Sequence, residues 1–208
     1  MSSSIQASQF LAAIDTDWAR LIKLIGPKSD STPAQQEPYE ALIRAVAYQQ
    51  LHGKAAAAIL GRLLALYGGQ FPEPAALLAS DIADLRACGF SGRKISYMIN
   101  LAEASLAGNI PDYVTALAMD DEALIAQLTT LPGIGRWTVE MMQMHTLGRP
   151  DILPVNDLGV REGYRRMKGL STAPTARSLK EIGLAWRPYR STAAWYLWQV
   201  PRDYTTAD

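Results

Sequence analysis

The run Leu131-Pro132-Gly133-Ile134-Gly135-Arg136-Trp137-Thr138, followed by Pro154-Val155-Asn156-Asp157, holds the residues of this chain best placed to do chemistry. Two glycines at the mouth of a helix leave backbone N–H groups uncovered by side chains, which makes a seat for a phosphate oxygen. A carboxylate, Asp157, follows one helix and one loop later. That combination suggests a reaction site, although glycine spacing alone fits a plain αα-turn equally well. It is not a dinucleotide fingerprint, because Gly133-x-Gly135-x-x-Thr138 lacks a third glycine and follows a helix rather than a strand.

The elements that must position these residues are legible around them. Asp120-Asp121-Glu122 supplies a cap and negative charge for a helix carrying Leu124, Ile125 and Leu128, and Pro132 stops it. A second helix is predicted over 136–147, ended by Gly148 and Pro150, and a third over 158–167. Upstream, residues 2–9 read as polar and loose, 15–25 as an amphipathic helix closed by Gly26, and 27–38 as a loop. Pro38 opens a helix with Tyr39, Leu42, Ile43 and Val46 on one face; it breaks at Gln49-Gln50-Leu51-His52-Gly53 and resumes at Lys54. Ser80-Asp81 and Ser91-Gly92 are caps, residues 111–117 a connection, and 174–185 and 188–200 two further helices. No segment alternates with period two, so the fold class is all-α, with roughly ten helices.

Composition narrows the function classes. With 208 residues, 49% of them hydrophobic, the chain can bury a substantial core. No apolar run reaches membrane length and residues 1–9 lack a signal peptide's pattern, so the expectation is an intracellular protein, in the cytoplasm and nucleoid or in a nucleus. The single cysteine, Cys88, excludes an intramolecular disulfide and any all-cysteine metal site, and His52 and His145 are too isolated to suggest zinc. Net charge is zero, but residues 136–202 carry eleven Lys and Arg against five Asp and Glu, whereas residues 1–135 carry nine against thirteen. Arg136, Arg149, Arg161, Arg165, Arg166 and Lys168 are therefore predicted to build a phosphate-facing field, though such runs are often only a solvated face.

The hairpin run together with Leu153-Pro154-Val155-Asn156-Asp157-Leu158-Gly159-Val160-Arg161 resembles the helix-hairpin-helix, Gly/Pro-rich loop and aspartate signature of the DNA glycosylase superfamily. Trp137 and the segment Gln49-Gln50-Leu51-His52 resemble its DNA-3-methyladenine glycosylase II branch, the compact alkylbase glycosylases, and the likeness extends over residues 39–200. The resemblance implies a two-lobed helical fold with the DNA and base cleft between lobes. Residues 1–36 are expected to pack on the C-terminal lobe, 37–118 to form a lobe with the wedge junction, and 119–208 to form the lobe holding the hairpin and the aspartate. It further implies a monomer acting on double-stranded DNA that contains alkylated bases.

By the same resemblance Asp157 is the catalytic residue, although an aspartate just before a helix is also a good N-cap, and both roles fit together. A fixed carboxylate stabilises the oxocarbenium-like sugar formed as a base leaves and orients a water. A methylated purine is cationic and leaves without a separate acid. Trp137 stands where strand-cutting members carry a nucleophilic lysine, so the reaction is expected to stop at an abasic site. Its indole would stack on a cationic base. Trp198 is expected to form another pocket wall, and Met141 to line the floor where relatives often place an aromatic.

Leu131, Gly133, Ile134, Gly135 and Arg136 form the expected DNA-binding hairpin, whose carbonyls at Thr129, Leu131 and Ile134 or Gly133 would hold a structural sodium or potassium ion. Gln50 is the expected wedge, with Leu51 and His52 beside it in the groove; the alternative is a polar helix end with Leu51 in the core. No cofactor is required, and the four-cysteine iron–sulfur cluster of the endonuclease III branch is excluded. Two rivals stay open: a glycosylase for another damaged or mismatched base, and a non-catalytic helix-hairpin-helix module.

Overall fold

Helix starts in this chain are set by short polar side chains that bond back to the first turn. Asp15, Asp81, Ser91, Asp112, Asp120, Asp157 and Thr175 each accept a hydrogen bond from an N–H two or three residues ahead, while Pro38 and Pro74 occupy opening helical positions. The computed structural model describes residues 3–29, 36–51 and 53–204. Its helices are α1 Ser3–Ala12, α2 Thr16–Ile25, α3 Pro38–Tyr48, α4 Gly53–Leu66, α5 Pro74–Leu78, α6 Ile82–Ala87, α7 Gly92–Leu106, α8 Tyr113–Ala118, α9 Asp121–Leu128, α10 Arg136–His145, α11 Leu158–Met167, α12 Ala176–Ile182 and α13 Arg190–Gln199, with a 3-10 turn at Gly183–Trp186. No strand occurs among the described residues, so the fold is all-α. No described helix is long and apolar enough to cross a membrane.

Contacts divide the chain into two units, Met1–Pro33 with Gly148–Asp208, and Ala34–Leu147. In the first, α11 packs on α13, and α1 and α2 both pack on α13. Trp18 and Trp186 meet edge to face at 5.4 Å between centroids and are almost wholly buried with Leu11, Leu21, Tyr196 and Leu197. The N-terminal segment is a correction to the loose stretch expected over residues 2–9. It forms α1 because Ala7 and Leu11 bury on one face and the Ser8 hydroxyl bonds the Tyr196 hydroxyl at 2.8 Å. Tertiary partners override its polar composition.

A half-buried ion-pair triad ties α11 to α2: the Lys168 ammonium sits 2.6 Å from Asp15 and 2.8 Å from Asp17. Burial pushes the Asp15 carboxyl up, but the Lys168 hydrogen bond and the Trp18 and Asp17 amides outweigh it and hold the carboxyl below its ordinary value. Burial works to lower Lys168, and its bonds to Asp15 and Asp17 outweigh that and raise it. A depressed carboxylate gives stability that is present above the unfolded value of about 3.9 and lost as pH falls through the lower folded one; a raised lysine loses its contribution only above about 10.4. Lys168→Met should therefore lower Tm at neutral pH, with the gap from wild type shrinking as pH falls below the unfolded carboxylate value of about 3.9. Thermal melts by circular dichroism at neutral and acid pH check this.

In the second unit α3 packs on α4, α7 and α10, α5 packs on α7, and α9 packs on α10. Leu42, Val46, Met98 and Leu101 share one core with Leu124, Leu128, Ile134, Val139 and Met142. The division expected at 118/119 falls instead at 147/148: α10 packs on α3 and on α9, and the buried residues of α9 and α10 share one core with those of α3 and α7, so the hairpin joins the residues before it. The connection expected at 111–117 contains α8, because Asp112 accepts the Thr115 N–H at 2.7 Å and Ala116 is buried.

Candidate active site and nucleic-acid interface

The hairpin between α9 and α10 turns on Gly133, whose φ of +82° lies in the left-handed region that side-chain-bearing residues avoid. The Tyr97 ring packs so closely that a Cβ at Gly133 would stand 2.5 Å from it. The Gly133 carbonyl accepts a 2.9 Å hydrogen bond from the Gln49 side chain. Ile134 turns inward, 5% exposed, and Leu131 packs partly buried against the same core. Gly135 differs from Gly133: its φ of −100° suits any residue, and a Cβ there would meet nothing within 4 Å. Among the described residues nothing requires a glycine at 135.

Arg136, expected to face DNA, has its guanidinium bound bidentately by Glu122 and, at 2.9 Å, by Glu140. The Glu122 bond, with that of Glu140, raises its pKa against the opposing effect of burial. Its charge clamps the start of α10 to α9, so it grips the hairpin itself.

At the end of α3 the chain passes through Gln50, a non-glycine residue at φ +57°. Gln50 is exposed and Leu51 is 39% exposed, so Leu51 does not enter the core as the alternative reading required. His52, the third expected groove residue, lies outside the described residues. Such a conformation at a non-glycine residue persists only where the surrounding structure holds it.

Trp137, Met141 and Gln50 line one cavity of about 720 Å³ in the second unit, together with Arg44, Tyr48 and His145, which sequence reasoning did not single out for it. That volume lies within the range of small-molecule sites. Trp137 is 46% exposed where it lines the cavity. Arg44 is held 2.7 Å from Glu40 and lies over the Phe71 ring at 5.3 Å, which balances its charge at the cavity wall.

In the first unit, Asp157 opens α11. Its Oδ1 accepts the Val160 N–H at 2.8 Å and the Trp198 indole N–H at 2.9 Å, and the residue is half-buried. One oxygen thus caps the helix and fixes the carboxylate's orientation through an indole from α13. Trp198 was expected as a pocket wall; the structure places its N–H on Asp157, and it is not among the residues lining the cavity with Trp137. Gly159 makes room: a Cβ there would come within 2.9 Å of Trp198 and 3.0 Å of Asp157 Oδ1.

A family model described as "HhH-GPD superfamily base excision DNA repair protein" matches residues 43–188. The chain belongs to this superfamily. DNA-3-methyladenine glycosylase 1 of Schizosaccharomyces pombe is 43% identical over 209 residues, covering 99% of this chain and 92% of the relative. A solved structure of the 3-methyladenine DNA glycosylase of that yeast, in complex with abasic DNA, covers 97% of this chain and 100% of its own, with a TM-score of 0.87. A DNA-3-methyladenine glycosidase from Bacillus halodurans is 33% identical, covers 95% of this chain and 88% of its own, and has a TM-score of 0.81.

In this HhH-GPD chain the basic residues expected to face phosphate are mostly engaged with the protein. Arg161 donates to the Pro174 carbonyl at 2.7 Å, Arg165 to Glu162 at 2.7 Å and Arg166 to the Val200 carbonyl at 3.3 Å, while Lys168 belongs to the Asp15 and Asp17 triad. A count of charges in sequence could not show these partners. Sequence reasoning placed Gln49 in the junction segment but gave it no role, and it passed over Tyr97 and Lys94. Only the three-residue spacing of Lys94 and Tyr97 hinted that they share one face of α7.

Proposed function

We propose that this HhH-GPD chain is a monofunctional DNA glycosylase that hydrolyses the N-glycosidic bond of alkylated purines in duplex DNA, acting as a monomer. The observation that supports it most is the Asp157 carboxylate, half-buried and held by the Val160 and Trp198 N–H groups on one oxygen. A preoriented anion stabilises positive charge as it develops on the sugar, without reorganising during the reaction. As the bond to the base breaks, its electron pair leaves with the base. A water aligned by Asp157 then adds to the sugar carbon and gives up its proton. A purine already cationic from methylation needs no further acid.

The exposed indole of Trp137 provides the electron-rich face for such a base, a contribution of ~0.5–2 kcal/mol. Gln50 fills the space in the duplex that the extruded nucleotide leaves. The open start of α10 at Gly135 receives a phosphate. A monovalent cation at the hairpin would rest on the carbonyls of Thr129, Leu131 and Ile134 or Gly133 in a structural role. Those of Leu131 and Gly133 already accept the Ile134 N–H and the Gln49 amide, and a carbonyl has a second lone pair for a cation.

Chromatography of bases freed from methylated DNA tests the reading. We expect 3-methyladenine or 7-methylguanine, intact abasic strands, and no protein–DNA adduct trapped by borohydride, since Trp137 cannot form a Schiff base. Release from uracil-containing or oxidised DNA alone would reject the substrate class. Trp137→Ala should lower release of cationic 7-methylguanine more than that of neutral hypoxanthine, by about two- to thirtyfold for the cation. Equal losses on both bases would remove the cation–π role.

A further inference from the structure

The strained wedge position and the hairpin turn are joined within the second unit by one side chain. The Gln49 amide donates to the Gly133 carbonyl at 2.9 Å, while the Gln49 backbone N–H completes α3 on the Ala45 and Val46 carbonyls at 3.1 and 3.3 Å. The next residue, Gln50, has φ +57°. One face of α7 supports both ends of this link. Lys94 Nζ donates to the Ala47 carbonyl at 2.8 Å, satisfying the C-terminal end of α3 with a cation, and Tyr97 packs against Gly133.

From this geometry we infer that Gln49 is a positioning residue, holding the Gln50 wedge in its left-handed conformation by bolting it to the hairpin turn. The inference rests on the reading of Gln50 as the wedge. A left-handed non-glycine residue persists only where its surroundings over-determine it. The Gln49–Gly133 bond and the Lys94–Ala47 bond constrain the chain just before Gln50 on two sides. Without the amide, Gln50 relaxes to negative φ and its side chain leaves the line along which it would enter a duplex. The hairpin keeps its own supports, Tyr97 against Gly133 and Arg136 on Glu122 and Glu140. Gln49 therefore acts on base extrusion and spares the grip on phosphate.

The test is a double-mutant cycle of Gln49→Met and Gln50→Ala in the full chain. It is read by single-turnover base release from a hypoxanthine-containing duplex and by fluorescence of 2-aminopurine beside the lesion. Gln49→Met should slow release and weaken the extrusion signal about three- to tenfold, while undamaged-duplex binding stays within about twofold. In the Gln50→Ala background it should add nothing, because the group it positions is gone. The same loss in both backgrounds, or no loss from Gln49→Met alone, overturns the inference while leaving the wedge. If Gln50→Ala alone is harmless, the wedge reading fails and the inference with it.

Discussion

Asp157→Asn should lower single-turnover release of methylated purines by about 10²–10³-fold, with duplex affinity and Tm close to wild type. Asparagine keeps an oxygen for both the Val160 and Trp198 N–H groups that now meet Asp157 Oδ1 at 2.8 and 2.9 Å. As an N-cap it is as good as aspartate. What it lacks is the negative charge opposite a developing sugar cation. The substitution thus separates the capping role of this side chain from the catalytic one proposed for it, since asparagine preserves the first and not the second. Rapid-quench base release and fluorescence anisotropy with undamaged duplex measure the two separately. Release within about twofold of wild type would leave only a helix-hairpin-helix binding module.

Gly163→Ala should destabilise the protein by about 1–3 kcal/mol or more and reduce base release as well. A Cβ on Gly163 would stand 2.0 Å from the Leu197 carbonyl oxygen and 2.7 Å from its carbonyl carbon. Those are backbone atoms of α13, so a rotamer change cannot relieve the clash, and the helices must part. The next residue along α13 is Trp198, whose indole holds Asp157, so the separation that lowers Tm also loosens the carboxylate. Each 1 kcal/mol corresponds to roughly 2–4 °C at this chain length. Gly61→Ala on α4 is the control: its Cβ would meet nothing within 4 Å, and it should leave Tm unchanged or slightly raised. Equal behaviour of the two glycines in thermal melts would show that the close approach of α11 and α13 is not needed.

Local signals carried much of this protein into view. Asp120, Ser91 and Asp157 cap the helices that their positions promised, and Gly133 turns the chain in the Pro/Gly segment that follows α9. Such signals act across three or four residues, so they survive in a linear string. Long-range partners did not show in that way. Residues 2–9 read as loose because the Tyr196 hydroxyl that Ser8 bonds, within the helix Ser3–Ala12, is 188 positions away. The tryptophans are alike in sequence, yet Trp186 is 1% exposed, Trp137 is 46% exposed, and Trp198 holds Asp157.

The amino-acid string alone determined the all-α class, the identity of a lone carboxylate at 157 and an indole in place of an amine at 137, and with them the limits on the chemistry. Only the tertiary structure decided which charges remain for a ligand. It consumed Arg136 on Glu122 and Glu140, and Lys168 on Asp15 and Asp17, and it delivered the Gln49 amide to Gly133 across 84 positions. The division has a physical cause. A residue's type sets what it can do, but whether its charge or hydrogen-bonding group is already satisfied depends on neighbours that the folded path brings within about 3 Å.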